Sequence, residues 1–324
     1  MIITKTPYRV SLFGGGSDHP SWYKKYTGSV LSFAIDKYCY INLRELPPFF
    51  EHSFRVAYSK IETVKAIDEI KHPAVRESFR KYAPDLCLEM HHHGDLPARS
   101  GIGSSSSFAV GLILALLSIK NKKVSQSELA ELAIQLEQEI LLENVGSQDQ
   151  IASAFGGINF IQFGPGANWK VEPIKISPRY LNQIENSCVL IYSGVERSSS
   201  EVSKTLLRNL DSKIVLMKKN QELAITCREI LEQGDNLSLI GPLLNESWEI
   251  KKQLNSDAST PVLESLFTKA MKVGAQGGKV LGAGGGGFCL FWVDPSRRNS
   301  FIQEMAPLVA VPVKLSMTGA TRIV

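Results

Sequence analysis

Three glycine-bearing segments and one acidic stretch hold the residue types that could handle a phosphate. The most informative is Pro97-Ala98-Arg99-Ser100-Gly101-Ile102-Gly103-Ser104-Ser105-Ser106-Ser107, directly ahead of the apolar run 108–119. Glycine lets backbone approach an anion closely, and the unpaired N–H groups of a first helical turn, with the helix dipole, favour negative charge. A nucleoside triphosphate suits such a cradle, lined by Pro97, Arg99, Ser100, Gly101, Ile102, Gly103, Ser104, Ser105 and Ser106. The Gly-Lys-Ser/Thr ending of a Walker loop is missing, so a lysine-clasped P-loop is excluded. Taken alone, the segment reads equally well as a serine-rich turn that caps a core helix.

The second segment, Pro7-Tyr8-Arg9-Val10-Ser11-Leu12-Phe13-Gly14-Gly15-Gly16-Ser17-Asp18-His19-Pro20, puts a basic residue on a strand that runs into a permissive loop. Arg9 is placed to stabilise charge on a transferring phosphoryl group, and Asp18, with Gly15, Gly16 and Ser17, to meet substrate hydroxyls. A surface arginine and a glycine turn remain the plain alternative. In the third segment, Lys279 to Phe288, Gly282-Ala283-Gly284-Gly285-Gly286-Gly287 formally matches a dinucleotide fingerprint. That motif needs a following helix, whereas 288–293 reads as a strand, so the loop instead implies close approach of backbone to a neighbouring domain or a bound nucleotide.

The acidic stretch is Glu137 to Gln150, where a helical pattern breaks at Gly146. Glu139 at the helix end is the expected Mg²⁺ ligand and Asp149 in the following loop the expected general base. Glu137 and Glu143 read as a solvated helix face.

Strands are expected at 2–4, 9–13, 29–35 and 38–43, then a buried helix over 108–120 that is apolar nearly all round. Ser125 with Glu128 three residues later is a capping box, opening a helix to about Glu143 with Leu129, Leu132, Ala133, Leu136, Ile140 and Leu141 broadly on one face. A strand over 156–163 and a turn over 164–168 follow. The second half reads as a strand at 188–192, helices over 200–233, 237–254 and 262–273, and strands at 278–281, 288–293 and 311–315. This order is that of a split βαβ layer. The boundary is expected near 175, giving domains 1–175 and 176–324.

The chain has 324 residues, 44% of them hydrophobic and 21% charged, with a formal charge of +4. Such a balance suits an enzyme of phosphates and is too weakly basic for nucleic acid. No stretch is long and apolar enough for a membrane span, and the N-terminus lacks a leader pattern, so a cytoplasmic protein is expected. The 5 cysteines are scattered singly and read as reduced. In His91-His92-His93, neighbours on a strand point to opposite faces, which favours a structural role over a metal site.

Together these motifs resemble the galactokinase, homoserine kinase, mevalonate kinase and phosphomevalonate kinase (GHMP) superfamily over nearly the whole chain. Pro97 to Ser105 matches its Pro-x-x-x-Gly-Leu-Gly-Ser-Ser motif with Ile102 for Leu, Arg9 matches its first-motif base, and Asp149-Gln150 matches the Asp-Gln pair of its sugar kinases. The resemblance implies an α+β fold with a ribosomal protein S5 domain 2-like N-terminal half and a ferredoxin-like C-terminal half. It also implies ATP and Mg²⁺ as cofactors, with Ser105 joining Glu139 on the metal, and a small-molecule sugar as phosphoryl acceptor. Many members carry Gly-Glu-His after the Arg strand. Gly14-Gly15-Gly16-Ser17-Asp18 departs from that and is similar to the bacterial heptose 7-phosphate kinases and fucokinase domains. The departure implies phosphorylation of the anomeric hydroxyl of a heptose 7-phosphate, on a route to activated heptose for surface polysaccharide. A kinase for fucose or a hexose, or a sensing homologue without chemistry, is the alternative. Arg197, Lys24 and Lys25 are candidates for the substrate phosphate, each also readable as a solvated charge.

Overall fold

In the computed structural model, residues 1–166, 168–195 and 210–324 are described. Two sheets organise them. The first is mixed, with strands β1 (Ile2–Phe13), β2 (Gly28–Glu45), β3 (Phe54–Ala57), β4 (Ile61–Val64), β5 (Leu88–Gly94), β6 (Ile158–Phe163) and β7 (Trp169–Pro173). A short C-terminal strand, Thr321–Arg322, closes its edge beside β1. The order runs from that strand through β1, β2, β5 and β3 to β4, with β6 on β2 and β7 on β6, and β3 and β5 are parallel. The second sheet holds Cys188–Tyr192, Ala275–Val280, Phe288–Val293 and Ala310–Val311. All its pairings are antiparallel.

Strand segments read separately in the sequence are continuous. Pro7, which has no N–H to give, suggested a break between residues 4 and 9. It is accommodated because the ladder shifts there, from Pro7 opposite Tyr38 to Arg9 opposite Ala34. The surplus residues of β2 find other partners: Asp36 N–H donates to Lys314 O, and Ile35 bridges Leu315. The C-terminal segment thus returns to the first sheet. The shift sits beside Arg9, where a bulge re-aims a side chain.

After the short helices α1 (Pro20–Tyr23) and α2 (Pro73–Tyr82), helix α3 (Ser104–Ile119) lies on β1 and β2. Its apolar circumference is met by burial on nearly every side, from Ser106 through Ile113 and from Ala115 through Ser118. Ser125 caps α4 (Gln126–Gln135) through the expected reciprocal box with Glu128. The helix does not run on to Glu143 as an α-helix: residues Leu136–Ile140 form a π turn, closed by Leu141 N–H to Leu136 O at 2.9 Å. Helix α5 (Gln148–Phe155) begins where a loop was expected. In the C-terminal half, Ile214–Gln233, Ile240–Leu254 and Pro261–Lys272 are helical, close to expectation. The helical reading over 200–209, and Arg197, lie outside the described residues.

Four cysteines are buried and Cys87 is exposed. On β5 the histidines diverge, His91 bonding Glu89 while His92 packs edge-on against Phe108. No helix among the described residues is long and apolar enough to cross a membrane.

Candidate active site

The three glycine segments meet at one cleft of about 1080 Å³. Each junction is a backbone approach that a side chain would block. A Cβ on Gly101, whose φ is +83°, would lie 2.7 Å from Leu281 O, and one on Gly282 would lie 2.6 Å from Gly101 Cα. The strand after the third loop is pinned to the cradle by Phe288 N–H to Ser100 O at 2.9 Å, and Arg9 N–H donates to Ile102 O at 3.1 Å. The third segment therefore braces the cradle from the C-terminal half.

The cradle opens α3 without a side-chain cap, because the residue before the helix is Gly103 in the left-handed region. That argues against the capping alternative. The serines are used elsewhere: Ser105 Oγ donates to Glu137 Oε1 at 2.8 Å and Ser106 Oγ to Oε2 at 2.7 Å. Arg99, Gly101, Gly103, Ser104, Ser105 and Ser106, at and before the first turn of α3, line the cleft. Pro97, Ser100 and Ile102 shape the loop rather than line it. Ile102 is core, and Ser100 is fully buried with its hydroxyl on Pro97 O at 2.6 Å.

Glu137 corrects the sequence reading of the acidic stretch. It is 1% exposed and also accepts from Gln150 Nε2 at 2.6 Å, whereas Glu139, the expected ligand, faces solvent. Glu137 lies in the π turn and faces the buried side. Sequence carried a signal for it: Glu137 follows Ala133 by four and Leu129 by eight, on the apolar face. Burial pushes the Glu137 carboxyl up to about 7, against the pull of its hydroxyl and amide donors. A buried carboxylate beside a serine hydroxyl is a hard-oxygen set of the kind Mg²⁺ takes.

Arg9 and Asp149 form a fork: Nε to Oδ1 at 2.7 Å and an Nη to Oδ2 at 2.6 Å. The other Nη donates to Gly101 O at 2.6 Å, which ties the pair to the cradle. The pair sits against Gly103, where a Cβ would stand 3.2 Å from Arg9 Cγ and 3.3 Å from Asp149 Oδ2. Asp149 lies on the first turn of α5, not in a loop. That turn reaches three places, one through the Gln148 backbone N–H and two through the side chains of Asp149 and Gln150, which point about 100° apart. Gln148 N–H meets Asp18 Oδ2 at 3.3 Å, Asp149 meets Arg9, and Gln150 meets Glu137.

Asp18 is buried at the cleft floor, its Oδ1 accepting from Gly16 N–H at 2.8 Å. Gly146 must be glycine for this, since a Cβ there would fall 1.8 Å from Asp18 Oδ2. Gly15 and Gly16 line the cleft. Ser17 does not: it is fully buried, with its hydroxyl on Gly14 O at 2.7 Å and Ser29 O at 3.1 Å, so the turn itself consumes the group expected to meet substrate. Lys24 and Lys25 are not part of the cleft wall. His19, beside Asp18, was not singled out. Burial lowers its pKa, against the attraction of Asp18 and Asp149, and keeps the ring neutral.

Two lysines were also missed. Lys279 Nζ donates to Leu12 O at 2.7 Å, and Lys251 Nζ to Val280 O at 2.9 Å and Gly282 O at 2.5 Å. Their sequence surroundings, a glycine-loop flank and an amphipathic helix, give no sign of this convergence. Tyr58, His72, His92 and Phe108, whose rings pack on one another, also line the cleft.

A glycine cradle opening a helix, a carboxylate forked by an arginine and a buried carboxylate on the cradle serines define a phosphotransferase site. The matching family models are the GHMP kinases N terminal domain over residues 64–157 and the GHMP kinases C terminal over residues 200–308. The chain is 30% identical over 315 residues to D-glycero-alpha-D-manno-heptose 7-phosphate kinase of Campylobacter jejuni, covering 94% of this chain and 93% of that one. It is 28% identical to the bifunctional fucokinase/GDP-fucose pyrophosphorylase of Arabidopsis thaliana, over 92% of this chain and 30% of that protein. Among solved structures, a D-glycero-D-manno-heptose 1-phosphate kinase from Bacteroides thetaiotaomicron superposes with a TM-score of 0.82 at 25% identity, covering 99% and 98% of the two chains. This chain belongs to the GHMP kinase family, and it is a sugar kinase of that family with the two-domain α+β fold. ATP is the family's phosphate donor.

Proposed function

We propose that the protein transfers the terminal phosphoryl of ATP to the anomeric hydroxyl of D-glycero-α-D-manno-heptose 7-phosphate, giving the 1,7-bisphosphate for nucleotide-activated heptose. The observation that carries the chemistry is the Asp149 carboxylate, forked by Arg9 against Gly103 at the cradle mouth. Likeness to a heptose 7-phosphate kinase over nearly the whole of both chains supports the sugar.

Asp149 accepts the hydroxyl proton while the oxygen attacks the phosphorus, and ADP leaves with the electron pair of the broken P–O bond. Arg9 holds Asp149 in line and has N–H donors left over for the phosphoryl oxygens. The first-turn N–H groups of α3 receive the nucleotide phosphates. Asp18 accepts from sugar hydroxyls, with Gly15 and Gly16 giving close backbone approach. Ser105 and Glu137 would hold Mg²⁺, whose charge, when bound, offsets that of the phosphates. The rings of Tyr58, His72, His92 and Phe108 suit the nucleobase.

The names of the relatives differ on where the sugar carries its phosphate, at position 7 or position 1. A panel of heptose 7-phosphate, heptose 1-phosphate, fucose, galactose and mannose, with ATP and Mg²⁺, tests the reading. ADP release with heptose 7-phosphate alone supports it. Release with free fucose and none with heptose 7-phosphate overturns it in favour of the fucokinase alternative, and no release with any sugar favours a sensing role.

A further inference from the structure

Lys251 and Lys279 share a property the catalytic reading leaves unused: among the described residues, neither pairs with a carboxylate. Lys279 is 5% exposed, and apart from Leu12 O its ammonium has only Ser247 Oγ, at 3.4 Å. Lys251 is partly buried and holds two carbonyl oxygens of the third glycine segment. Both line the cleft, and both feel the charge of Arg9. Lysine has three donors, so each ammonium keeps capacity after these bonds.

Of the basic side chains that line the cleft, Arg9, Lys251 and Lys279 act on one another, and only Arg9 among them is paired with a carboxylate, which is a costly arrangement for an empty protein. Burial and mutual repulsion draw both lysines below the ordinary lysine range, Lys279 to about 7. A dianion in the cleft reverses that cost. Lys251 stands beside Gly282, which touches Gly101 of the cradle. Lys279 stands beside Leu12 and Ser247, and Ser247 donates to Asn220, whose amide holds Gly15 O at the sugar end. The pair therefore links the cradle to the Gly15 loop across the cleft, and Arg9 is near enough for its charge to act on both.

We propose that Lys251 and Lys279, reaching from the C-terminal half, complete with Arg9 a subsite for a phosphate dianion. This rests on the sugar-kinase reading and deepens it. Two sources carry that chemistry, the terminal phosphate of ATP and a phosphate ester on the sugar. In either case the site is complete only when the two halves meet.

The test uses the full chain as wild type, Lys251→Met, Lys279→Met and Lys279→Gln, with calorimetric titration of Mg·ATP against Mg·ADP, heptose 7-phosphate against the unphosphorylated heptose, and inorganic phosphate. The variants are expected to lose at least tenfold affinity for the phosphate-bearing member of one pair, leave the other member within about twofold, and lose the affinity for inorganic phosphate. Selective loss on ATP assigns the subsite to the nucleotide's terminal phosphate, and selective loss on heptose 7-phosphate to the sugar's. The ligand-free melting temperature of the Met variants is expected to equal or exceed that of wild type, because a desolvated cation has gone. Unchanged affinities for all five ligands, or equal losses within both pairs with a lowered melting temperature, overturn the proposal. If wild type does not bind heptose 7-phosphate, the heptose reading fails by itself, and the nucleotide pair with inorganic phosphate still decides the subsite.

Discussion

Replacing Asp149 by Asn keeps the side-chain shape and removes the charge and the basic oxygen. Of the two bonds to Arg9, at 2.7 and 2.6 Å, one oxygen acceptor survives while the other position becomes an N–H₂ facing an N–H donor. A charge-assisted bond contributes roughly 1.5–3 kcal/mol, and breaking a buried pair costs about 3–5 kcal/mol. Arg9 is 4% exposed but Asp149 is 23% exposed, and Arg9 retains Gly101 O, so the lower figures apply. The variant should lose about 2 kcal/mol of stability, a drop of a few degrees in melting temperature for a chain of this size. Loss of the base should lower kcat by about 10²–10⁴-fold, or roughly 3–5 kcal/mol in barrier. The cradle is untouched, so KM for ATP should stay within about threefold. A coupled ADP-release assay with a thermal melt reads all three quantities. A kcat within threefold of wild type in a folded variant would falsify the assignment of the base, and a collapse of ATP affinity would make Asp149 a strut of the cradle instead.

Glu137→Gln should cut kcat at least tenfold and raise the Mg²⁺ concentration needed for half-maximal rate, whereas Glu139→Gln, at an exposed position, should change neither by more than about twofold; a magnesium titration of the two compares them directly. Gly146→Ala forces a methyl into Asp18 and should raise KM for the sugar much more than KM for ATP, which initial-rate kinetics in the two substrates separates. Lys279 has a folded pKa of about 7, below its unfolded value, so its contribution to stability is full above the unfolded value and is lost as pH falls towards 7. Urea midpoints of the ligand-free protein should therefore rise between pH 7 and pH 10, by at most about 1.4 kcal/mol per pH unit from this group, and Lys279→Met should flatten the rise; an unchanged slope in that variant contradicts the assigned titration.

Local signals made much of the site legible. Gly101, Gly103 and the serines before an apolar helix mark the loop that opens α3 at the cleft, and Ser125 with Glu128 marks a helix start to the residue. Arg9, Asp18 and Asp149 converge in space as their residue types suggested. What escaped depends on geometry that sequence expresses weakly. Glu137 keeps the spacing of Leu129 and Ala133, but as a charged residue it was read with the solvated face, so the carboxylate that meets the cradle serines was assigned two residues late, at Glu139. Ser17 has the composition of a ligand-binding serine, but a tight turn consumes its hydroxyl. The return of Thr321–Arg322 to the first sheet is a pairing across nearly the whole chain, and two residues carry no pattern. Lys251 and Lys279 act through convergence of two elements across the cleft, which spacing within either element does not encode.

The central claim is a sugar-phosphate kinase whose acceptor is heptose 7-phosphate. Phosphorus NMR of the products from ATP, Mg²⁺ and D-glycero-D-manno-heptose 7-phosphate measures it most directly. The expected products are ADP and a heptose with a new anomeric phosphate signal coupled to the C1 proton, with the 7-phosphate signal retained and the whole conversion absent in Asp149→Asn. ADP without a new anomeric signal, or conversion of free fucose while heptose 7-phosphate is left intact, would contradict it.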